Sequence, residues 1–243
     1  MKTLFSIVIP AHNEEGYIGL LLNSLSNQRS YINSSEIIVV DNASSDGTQK
    51  EVKKFIKNYP KLNIKLISEN RDSFYTGKGG GISRNTGARQ AEGNILIFLD
   101  ADNLVNETFL ETIYQKAFRQ NYEAGTIFTL PLEKSALAYL VFYILEMIKR
   151  LSIRPFGKNF VRKEIFQAVG GYDENLNLGE NVEFLIRVKN FIAEKNRLMT
   201  HIKTPIYVSL RRFKKQGYLV VLSEWLLGYI GIRSIKYPRF SDL

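Results

Sequence analysis

The sequence predicts an α/β domain with a mostly parallel central sheet, and three observations support this fold class. Strand-like runs at 5–10, 37–40 and 62–67 alternate with stretches whose apolar residues recur at helical spacing. A further run, 95–99, is apolar throughout, as expected of a strand that is buried on both faces. This alternation of strands and helices is typical of parallel sheets that are covered by helices.

Two carboxylates follow the run at 95–99. Asp100 and Asp102 are one residue apart, at the strand end where open α/β sheets form their ligand crevice. Hard oxygen ligands at this place suit Mg²⁺ or Mn²⁺ holding a diphosphate. The alternative is structural: Asp102 caps a helix over 103–120, and Asp100 is a solvated turn residue.

Composition narrows the class of protein. The chain has 243 residues, of which 44% are hydrophobic, so it fits one large globular domain or two small ones. It has no cysteine, which excludes disulfides and thiolate zinc sites. Its formal net charge of +9 favours anionic partners, namely nucleotides, nucleic acid or acidic lipid head groups. The first residues lead directly into a strand without a signal-peptide pattern, so we expect a cytoplasmic protein.

Local signals set the first elements. Pro10 ends the first strand, and Asn13 is the candidate N-cap of a helix over 17–25. A turn-rich loop follows the second strand, and Asp46 is the candidate cap of the helix after it.

A glycine-rich segment at 77–81 predicts a loop, because glycine is unfavourable inside a helix or a strand. This loop opens a helix over 83–91 with Arg84 in its first turn. A cation there opposes the helix dipole, and a bound phosphate would offset that cost. The spacing matches neither the Walker A loop nor the dinucleotide-binding fingerprint.

The second half of the chain continues the alternation. The apolar stretch 136–148 is too short to span a bilayer, so we expect a buried helix or a surface that meets lipid. The amphipathic helix over 218–235 either packs on the domain or lies in a membrane interface. The other predicted elements are strands at 124–132 and 157–162, one or two short strands over 198–210 broken at Pro205, helices at 163–169 and from 179, and a basic cluster at 211–215.

The order of several segments resembles glycosyltransferase family 2. The matching segments are Ile-Val-Ile-Pro-Ala-His-Asn-Glu-Glu (7–15), Val-Asp-Asn-Ala-Ser-Ser-Asp-Gly-Thr (40–48), Arg-Asn-Thr-Gly-Ala-Arg-Gln-Ala-Glu-Gly (84–93), Leu-Asp-Ala-Asp (99–102), Val-Gly-Gly-Tyr-Asp-Glu (169–174) and Gly-Glu-Asn-Val-Glu-Phe (179–184), with the tail 209–218. Each motif is common by itself, but this order over nearly the whole chain is specific.

The resemblance implies the GT-A fold, a three-layer α/β/α sandwich with a mostly parallel central sheet and a C-terminal helical extension. It implies one domain over 1–243, with a nucleotide-sugar-binding half at 1–124, an acceptor-binding half at 125–210, and a basic amphipathic extension at 211–243. The implied activity is inverting, metal-dependent transfer of a sugar from a UDP- or GDP-linked donor.

Site residues also come from the resemblance. Asp102 would ligate Mg²⁺ or Mn²⁺, and Asp100 would contact the ribose or the same metal. Asp41 would accept a hydrogen bond from the nucleobase, since a carboxylate accepts from a uracil or guanine N–H. The residues implied in nucleotide-sugar binding are Pro10, Ala11, Asn13, Glu14, Asp41, Lys78, Arg84, Asp100, Ala101, Asp102, Arg211 and Arg212.

The general base departs from the family pattern. The family usually uses the Asp of a Glu-Asp pair, and here that pair reads Glu180-Asn181. An Asn cannot accept a proton at neutral pH, so the base would be Glu180, with Glu183 or Asp173 as alternatives. Otherwise the acceptor is already anionic, such as a lipid phosphate, or activity is weak or absent.

Partners follow from the same features. We expect a nucleotide-sugar donor, a glycan or lipid-linked acceptor, peripheral contact with the inner face of a membrane, and no nucleic acid. The alternative is a catalytically weakened GT-A-fold binding protein at a membrane surface. A sugar nucleotidyltransferase would need a Gly-rich, Arg-bearing loop after the first strand, where this chain has Ala-His-Asn-Glu (11–14).

Overall fold

The computed structural model describes residues 2–69, 79–151, 154–176 and 178–231. Within these residues, eight strands form one sheet in the order β3-β2-β1-β4-β7-β6-β8-β5. The strands are β1 (Phe5–Ala11), β2 (Ser35–Asn42), β3 (Asn63–Glu69), β4 (Ile95–Phe98), β5 (Asn103–Val105), β6 (Ala124–Pro131), β7 (Asn159–Arg162) and β8 (Met199–Val208). The helices are α1 (Ile18–Ser26), α2 (Thr48–Asn58), α3 (Gly79–Arg89), α4 (Phe109–Tyr114), α5 (Ala136–Leu151), α6 (Lys163–Ala168), α7 (Glu180–Ala193), α8 (Arg211–Gln216) and α9 (Tyr218–Ile230).

The predicted α/β fold is confirmed, and its sheet is parallel in the half that carries the first motifs. Strand β1 pairs in parallel with both β2 and β4, and β2 pairs in parallel with β3. Strand β7 is antiparallel to both β4 and β6, and β5 is antiparallel to β8. The carboxyl ends of β1, β2 and β4 therefore meet at one edge of the sheet.

Helices cover both faces of the sheet. Alternate residues of β1 point to opposite faces, as strand geometry requires. Ile7 and Ile9 join a core with α1, α2 and α4, whereas Val8 joins a core with α3, α6 and α7. This arrangement is the three-layer α/β/α sandwich that the sequence predicted, with α9 as its C-terminal helical extension.

The helix predicted over 103–120 is wrong for its first residues. Asn103 begins β5, and α4 begins only at Phe109, with a π-helical turn continuing it to Arg119. The Asn103 amide group accepts from the Asp100 N–H at 2.9 Å, and Asn103 pairs with Val208 of β8. Long-range pairing with β8 thus overrides the local helical pattern, and Asp102 caps no helix.

Two further local predictions are wrong: Asn13 is not the N-cap of the first helix, and part of the glycine-rich segment is helical. The helix α1 begins at Ile18 after Tyr17, and Asn13 adopts a left-handed φ of 53° in the loop before it. The segment Gly79–Gly81 lies in α3, which places Arg84 in the second turn. A Cβ on Gly81 would lie 3.3 Å from the Asp173 carbonyl oxygen, so close packing accounts for a glycine there.

The second half follows the predicted order with small shifts of boundary. The helix predicted over 136–148 extends to Leu151, the strand predicted at 157–162 begins at Asn159, and β8 runs through Pro205 as one strand. In the part of the chain that the structure describes, no helix is long and apolar enough to cross a membrane. Residues 232–235 of the predicted C-terminal helix lie outside the described residues.

Candidate functional site

The loops after β1 and β2 form one connected wall at the carboxyl edge of the sheet. Asn13 donates its backbone N–H to the Ser44 hydroxyl at 3.0 Å and accepts from the Ser45 N–H at 2.9 Å. The Glu14 N–H donates to the Thr48 hydroxyl at 2.7 Å, and Asp46 accepts from the Thr48 N–H at 3.0 Å. These hydrogen bonds fix the position of the side chains that follow both strands.

Buried carboxylates with unused acceptor capacity lie on this wall. Asp41, at the end of β2, is 1% exposed and accepts from the Gln49 amide at 2.7 Å through Oδ2. Within the described residues, Asp41 Oδ1 and Glu14 Oε2 are buried without a hydrogen-bond partner. Because an unmet buried acceptor is costly, these two atoms are candidate acceptors for a ligand.

Arg211 connects the C-terminal part of the chain to this wall. Its guanidinium contacts Glu14 Oε1, lies 3.6 Å from Asp102 Oδ2, and stacks over the Tyr17 ring at 4.6 Å. The sequence placed Arg211 among the donor-binding residues, and the structure brings it beside Glu14 and Asp102. The single cation faces two carboxylates, so negative charge remains at this point.

The electrostatics of Asp102 differ from those of an ordinary aspartate. Burial raises its pKa to about 6, the Arg211 charge opposes the rise, and the Glu14 charge adds to it. Burial likewise raises the pKa of Glu14, with Arg211 opposing. Both carboxylates are therefore poised to gain from a nearby cation that would stabilise their charged forms.

Asp100 has different surroundings, although it is only two residues away. Its Oδ1 accepts from Arg84 Nη2 at 2.9 Å, and its Oδ2 contacts the Lys158 ammonium. Both carboxylate oxygens are thus occupied by cations. Arg84 is buried, stands 5.4 Å from the centre of the Tyr172 ring, and donates through Nη1 to Glu180 Oε1 at 3.0 Å.

Lys158 is a residue that the sequence analysis missed. Burial lowers its pKa to about 7, the Arg84 charge lowers it further, and Glu180 opposes the shift. Contact with the Asp100 carboxylate also favours the charged form. The available signal is weak: a lysine directly before a buried strand, whose approach to Asp100 depends on the pairing of β4 with β7.

The three candidate bases have different partners. Among the described residues, Glu180, the first residue of α7, makes a side-chain hydrogen bond only with Arg84, through Oε1. Glu183 uses both oxygens in an ion pair with Arg187, at 2.5 and 2.6 Å. Asp173 accepts from the Asn175 N–H at 2.9 Å in an exposed turn. Only Glu180 joins the network that includes Asp100.

The remaining predicted residues divide between the site and other places. Pro10 and Ala11 form the end of β1, and Ala101 is buried between the two aspartates. Arg212 contacts Glu224 of α9 and donates to Gln216 at 3.1 Å, so the structure does not bring it to Asp102. Lys78 lies outside the described residues.

A metal would depend on substrate oxygens as well as protein ligands. Among the residues that the structure describes, no three His, Cys, Asp or Glu side chains come together as a metal site. Mg²⁺ and Mn²⁺ at diphosphates commonly use one or two carboxylates plus phosphate oxygens. Asp102 fits this requirement: its Oδ1 accepts from the Asn103 amide at 3.1 Å, and among the described residues its Oδ2 has only the 3.6 Å approach of Arg211. Asp100 would first have to release Arg84 or Lys158.

Comparison with known proteins gives a consistent family. The pattern described as glycosyl transferase family 2 matches residues 6–134. The glycosyltransferase AglE of Haloferax volcanii is 31% identical over 189 residues, which cover 75% of this chain and 60% of AglE. The chain thus spans less than two thirds of that relative.

Solved structures share the fold. The mannosyltransferase PcManGT from Pyrobaculum calidifontis, solved with GDP-Man and Mn²⁺, has a TM-score of 0.72 at 20% identity, covering 96% of this chain and 65% of its own. TarS from S. aureus, solved with UDP, has a TM-score of 0.68 at 22% identity, covering 96% of this chain and 67% of its own.

Proposed function

This chain belongs to glycosyl transferase family 2, and we propose that it is an inverting, metal-dependent glycosyltransferase. Its donor would be a UDP- or GDP-linked sugar, and its acceptor a glycan or lipid-linked molecule of the cell envelope. The observation that carries the proposal is the pair of buried acceptors without a hydrogen-bond partner among the described residues, Asp41 Oδ1 and Glu14 Oε2, at the sheet edge that also carries Asp102. The division of the chain into donor and acceptor halves is part of this proposal.

The donor would lie along the carboxyl edge of the sheet. Asp41 Oδ1 would accept an N–H of the nucleobase, and the wall formed by Pro10, Ala11 and Asn13 would hold the nucleoside. Arg211 would turn from the carboxylates toward the diphosphate. A divalent ion held by Asp102 would supply Lewis-acid stabilisation of the departing diphosphate.

The network around Arg84 would hold the reacting sugar side of the site. Arg84 and Lys158 fix Asp100, so its oxygens keep one orientation as the donor binds. In this proposal Asp100 contacts the ribose through an edge of its carboxylate and is not the principal metal ligand. Fixed charges of this kind lose little free energy to reorganisation during the reaction.

Glu180 is the proposed general base. An acceptor hydroxyl would attack the anomeric carbon opposite the diphosphate, and the carbon–oxygen bond to the diphosphate would break. The hydroxyl proton would pass to Glu180 Oε2, which makes no hydrogen bond to another described residue. Glu183 is a weaker candidate, because Arg187 occupies both of its oxygens.

Isothermal titration with UDP and GDP, with and without Mn²⁺, tests the donor site. We expect metal-dependent binding of one nucleotide, lost in Asp102→Asn. The matched control is Glu107→Gln, which removes an exposed carboxylate paired with Arg29 and should bind normally. Absence of metal-dependent binding of both nucleotides would contradict the proposal.

Asn181 favours a second candidate function, a GT-A-fold binding protein with weak or no transfer at a membrane surface. The position where the family usually has its base carries an amide, which cannot take a proton. Nucleotide release from the bound donor separates the two. Release by the wild type that rises in Asn181→Asp supports the enzyme, whereas donor binding without release in both proteins supports the binding protein.

A further inference from the structure

The helix α5 buries two charged residues and exposes a stripe of apolar residues, which reverses the usual pattern of a surface helix. Its inward face carries Glu146 and Lys149, which are 4% and 8% exposed and form an ion pair under the helix. Its outward face is apolar, at the spacing of one helical stripe. The large exposed side chains of this stripe are Leu137, Leu140, Ile144, Met147 and Leu151.

The helix α9 also exposes large apolar side chains. Its one charged residue, Glu224, contacts Arg212 of α8, while Leu219, Leu226 and Ile230 are more than half exposed. Such exposed apolar surface on two helices is typical of a site that meets a partner.

The two helices are neighbours in the fold. The ring of Phe142 on α5 lies 6.3 Å from that of Trp225 on α9. Near the far ends, the Arg154 guanidinium donates to the Tyr229 carbonyl at 2.9 Å. The outward stripes of α5 and α9 therefore belong to one region, which we call the α5–α9 face.

In the described segments that carry the α5–α9 face, exposed cations border the apolar stripes. Lys134, Arg150 and Lys215 are exposed. The acidic side chains of the same segments point inward or are paired: Glu133 with Lys214 at 3.2 Å, Glu146 with Lys149, and Glu224 with Arg212. An apolar stripe bordered by cations is complementary to an interface of acyl chains and anionic head groups.

We propose that the α5–α9 face docks on the surface of a bilayer that contains anionic lipid. This inference deepens the proposed function, because it rests on that function for the identity of a lipid-linked acceptor. The docking itself depends only on the residues of the face. Trp225, at the margin of the face, has the amphipathic ring that favours the level of the head groups.

The face is connected to the candidate site through short contacts. Phe213 lies two residues after Arg211 in α8, and its ring packs against Phe142 and Trp225. A Cβ added to Gly179 would lie 2.5 Å from the carbonyl oxygen of Gly228 on α9, so α9 abuts the residue before Glu180. Docking would thus hold the helix that carries the proposed base near the lipid surface.

Flotation of the full chain with vesicles tests the proposal without any sugar nucleotide. We expect it to float with vesicles of phosphatidylglycerol and phosphatidylcholine, and much less with phosphatidylcholine alone. Leu140→Ser combined with Met147→Ser should weaken binding at least about tenfold. The matched control is Leu198→Ser, which removes an exposed leucine outside the face and should bind normally.

A second set of variants separates local charge from total charge. Lys134→Glu, Arg150→Glu and Lys215→Glu together should reduce binding to anionic vesicles at least about tenfold. Lys50→Glu, Lys54→Glu and Lys57→Glu on α2 change the net charge equally and should have a much smaller effect. Equal losses in the two sets would overturn the proposal, because binding would then follow net charge alone.

Two more measurements complete the test. Nucleotide titration of the same variants separates the two hypotheses. Lost vesicle binding with intact nucleotide binding bears on the α5–α9 face, whereas lost nucleotide binding bears on the proposed function. Sedimentation velocity tests whether a second copy of this chain covers the α5–α9 face instead of lipid. Dimers that Leu140→Ser with Met147→Ser dissociates, together with wild type that never floats, would overturn docking on lipid.

Discussion

Two carboxylates, the partly buried Asp102 at the sheet edge and the buried Glu146 under α5, have pKa values that are shifted in opposite directions. Burial raises the pKa of Asp102 to about 6, whereas the pKa of Glu146 lies below its ordinary value. Burial also acts on Glu146, but hydrogen bonding from His201 and the Lys149 charge outweigh it. The difference lies in the partners and not in the depth of burial.

This difference separates a structural carboxylate from a candidate ligand-binding one. Glu146 contacts Lys149, accepts from the Thr129 N–H at 3.1 Å, and lies 3.3 Å from His201 Nε2. Among the described residues, Asp102 has one neighbouring cation, Arg211 at 3.6 Å, accepts from the Asn103 amide at 3.1 Å, and has Glu14 as a neighbouring carboxylate. A chain keeps such an incompletely compensated carboxylate at a cost in stability, which a bound cation would offset.

The largest expected effect concerns the proposed base. Glu180→Gln keeps an acceptor for Arg84 but cannot take a proton, so turnover should fall by about 10²- to 10⁴-fold at nearly unchanged donor affinity. The measurement is nucleotide release from the donor, with kcat and KM separated. Glu183→Gln is the matched control and should keep its kcat. If Glu183→Gln lost turnover and Glu180→Gln did not, the assignment of Glu180 as the base, which rests on its Oε2 being available, would fail.

Removal of the paired carboxylate should destabilise the fold. Glu146→Gln leaves the buried Lys149 without its counter-charge, which should cost about 3 to 5 kcal/mol of unfolding free energy. Urea denaturation at pH 7 measures the change, and donor binding should persist in the folded protein. Glu194→Gln, a change at an exposed carboxylate that follows α7, should stay within about 0.5 kcal/mol.

Removal of the Asp102 carboxylate, which has weaker partners, should instead raise the free energy of unfolding at neutral pH. With the pKa of Asp102 raised to about 6 from 3.8, the folded chain binds more protons than the unfolded chain between about pH 4 and 6. Stability therefore falls as the pH rises through this window, and the whole penalty of about 3 kcal/mol is present above it. Asp102→Asn removes the penalty.

Urea denaturation at pH 4 and pH 7.5 checks this expectation for Asp102→Asn. The variant should be more stable than the wild type at pH 7.5 and nearly equal to it at pH 4. A variant that is less stable at pH 7.5 would mean that Asp102 is held by structural partners, as Glu146 is.

The fold and the first candidate residues could be predicted because they depend on local pattern. Buried runs of Val and Ile identify strands, and Asp100 and Asp102 directly follow one of them. The order of the motifs then identifies the family, which the match over residues 6–134 confirms.

The features that escaped prediction depend on contacts between distant parts of the chain. Lys158 reaches Asp100 because β7 lies beside β4, and Asn103 begins a strand because β8 is available as its partner. The reversal of α5 escaped as well, since Glu146 reads as an exposed residue until His201 and Lys149 are placed around it. No local spacing encodes these neighbours.

The smallest expected effect sharpens the comparison at the nucleobase. Asp41 is as deeply buried as Glu146; its Oδ2 accepts from Gln49, and its Oδ1 has no hydrogen-bond partner among the described residues. Asp41→Asn keeps the volume and replaces a charged acceptor, so nucleotide affinity should fall by about 10- to 100-fold, the range of a hydrogen bond to a charged group. Titration of UDP and GDP against this variant measures the loss.

Gln49→Leu is the informative companion: it removes the partner of Oδ2 while leaving Oδ1 in place. A larger loss in Gln49→Leu than in Asp41→Asn would place the contact with the base on the amide. An equal affinity of Asp41→Asn and wild type would mean that the unmet oxygen is tolerated for a reason other than binding.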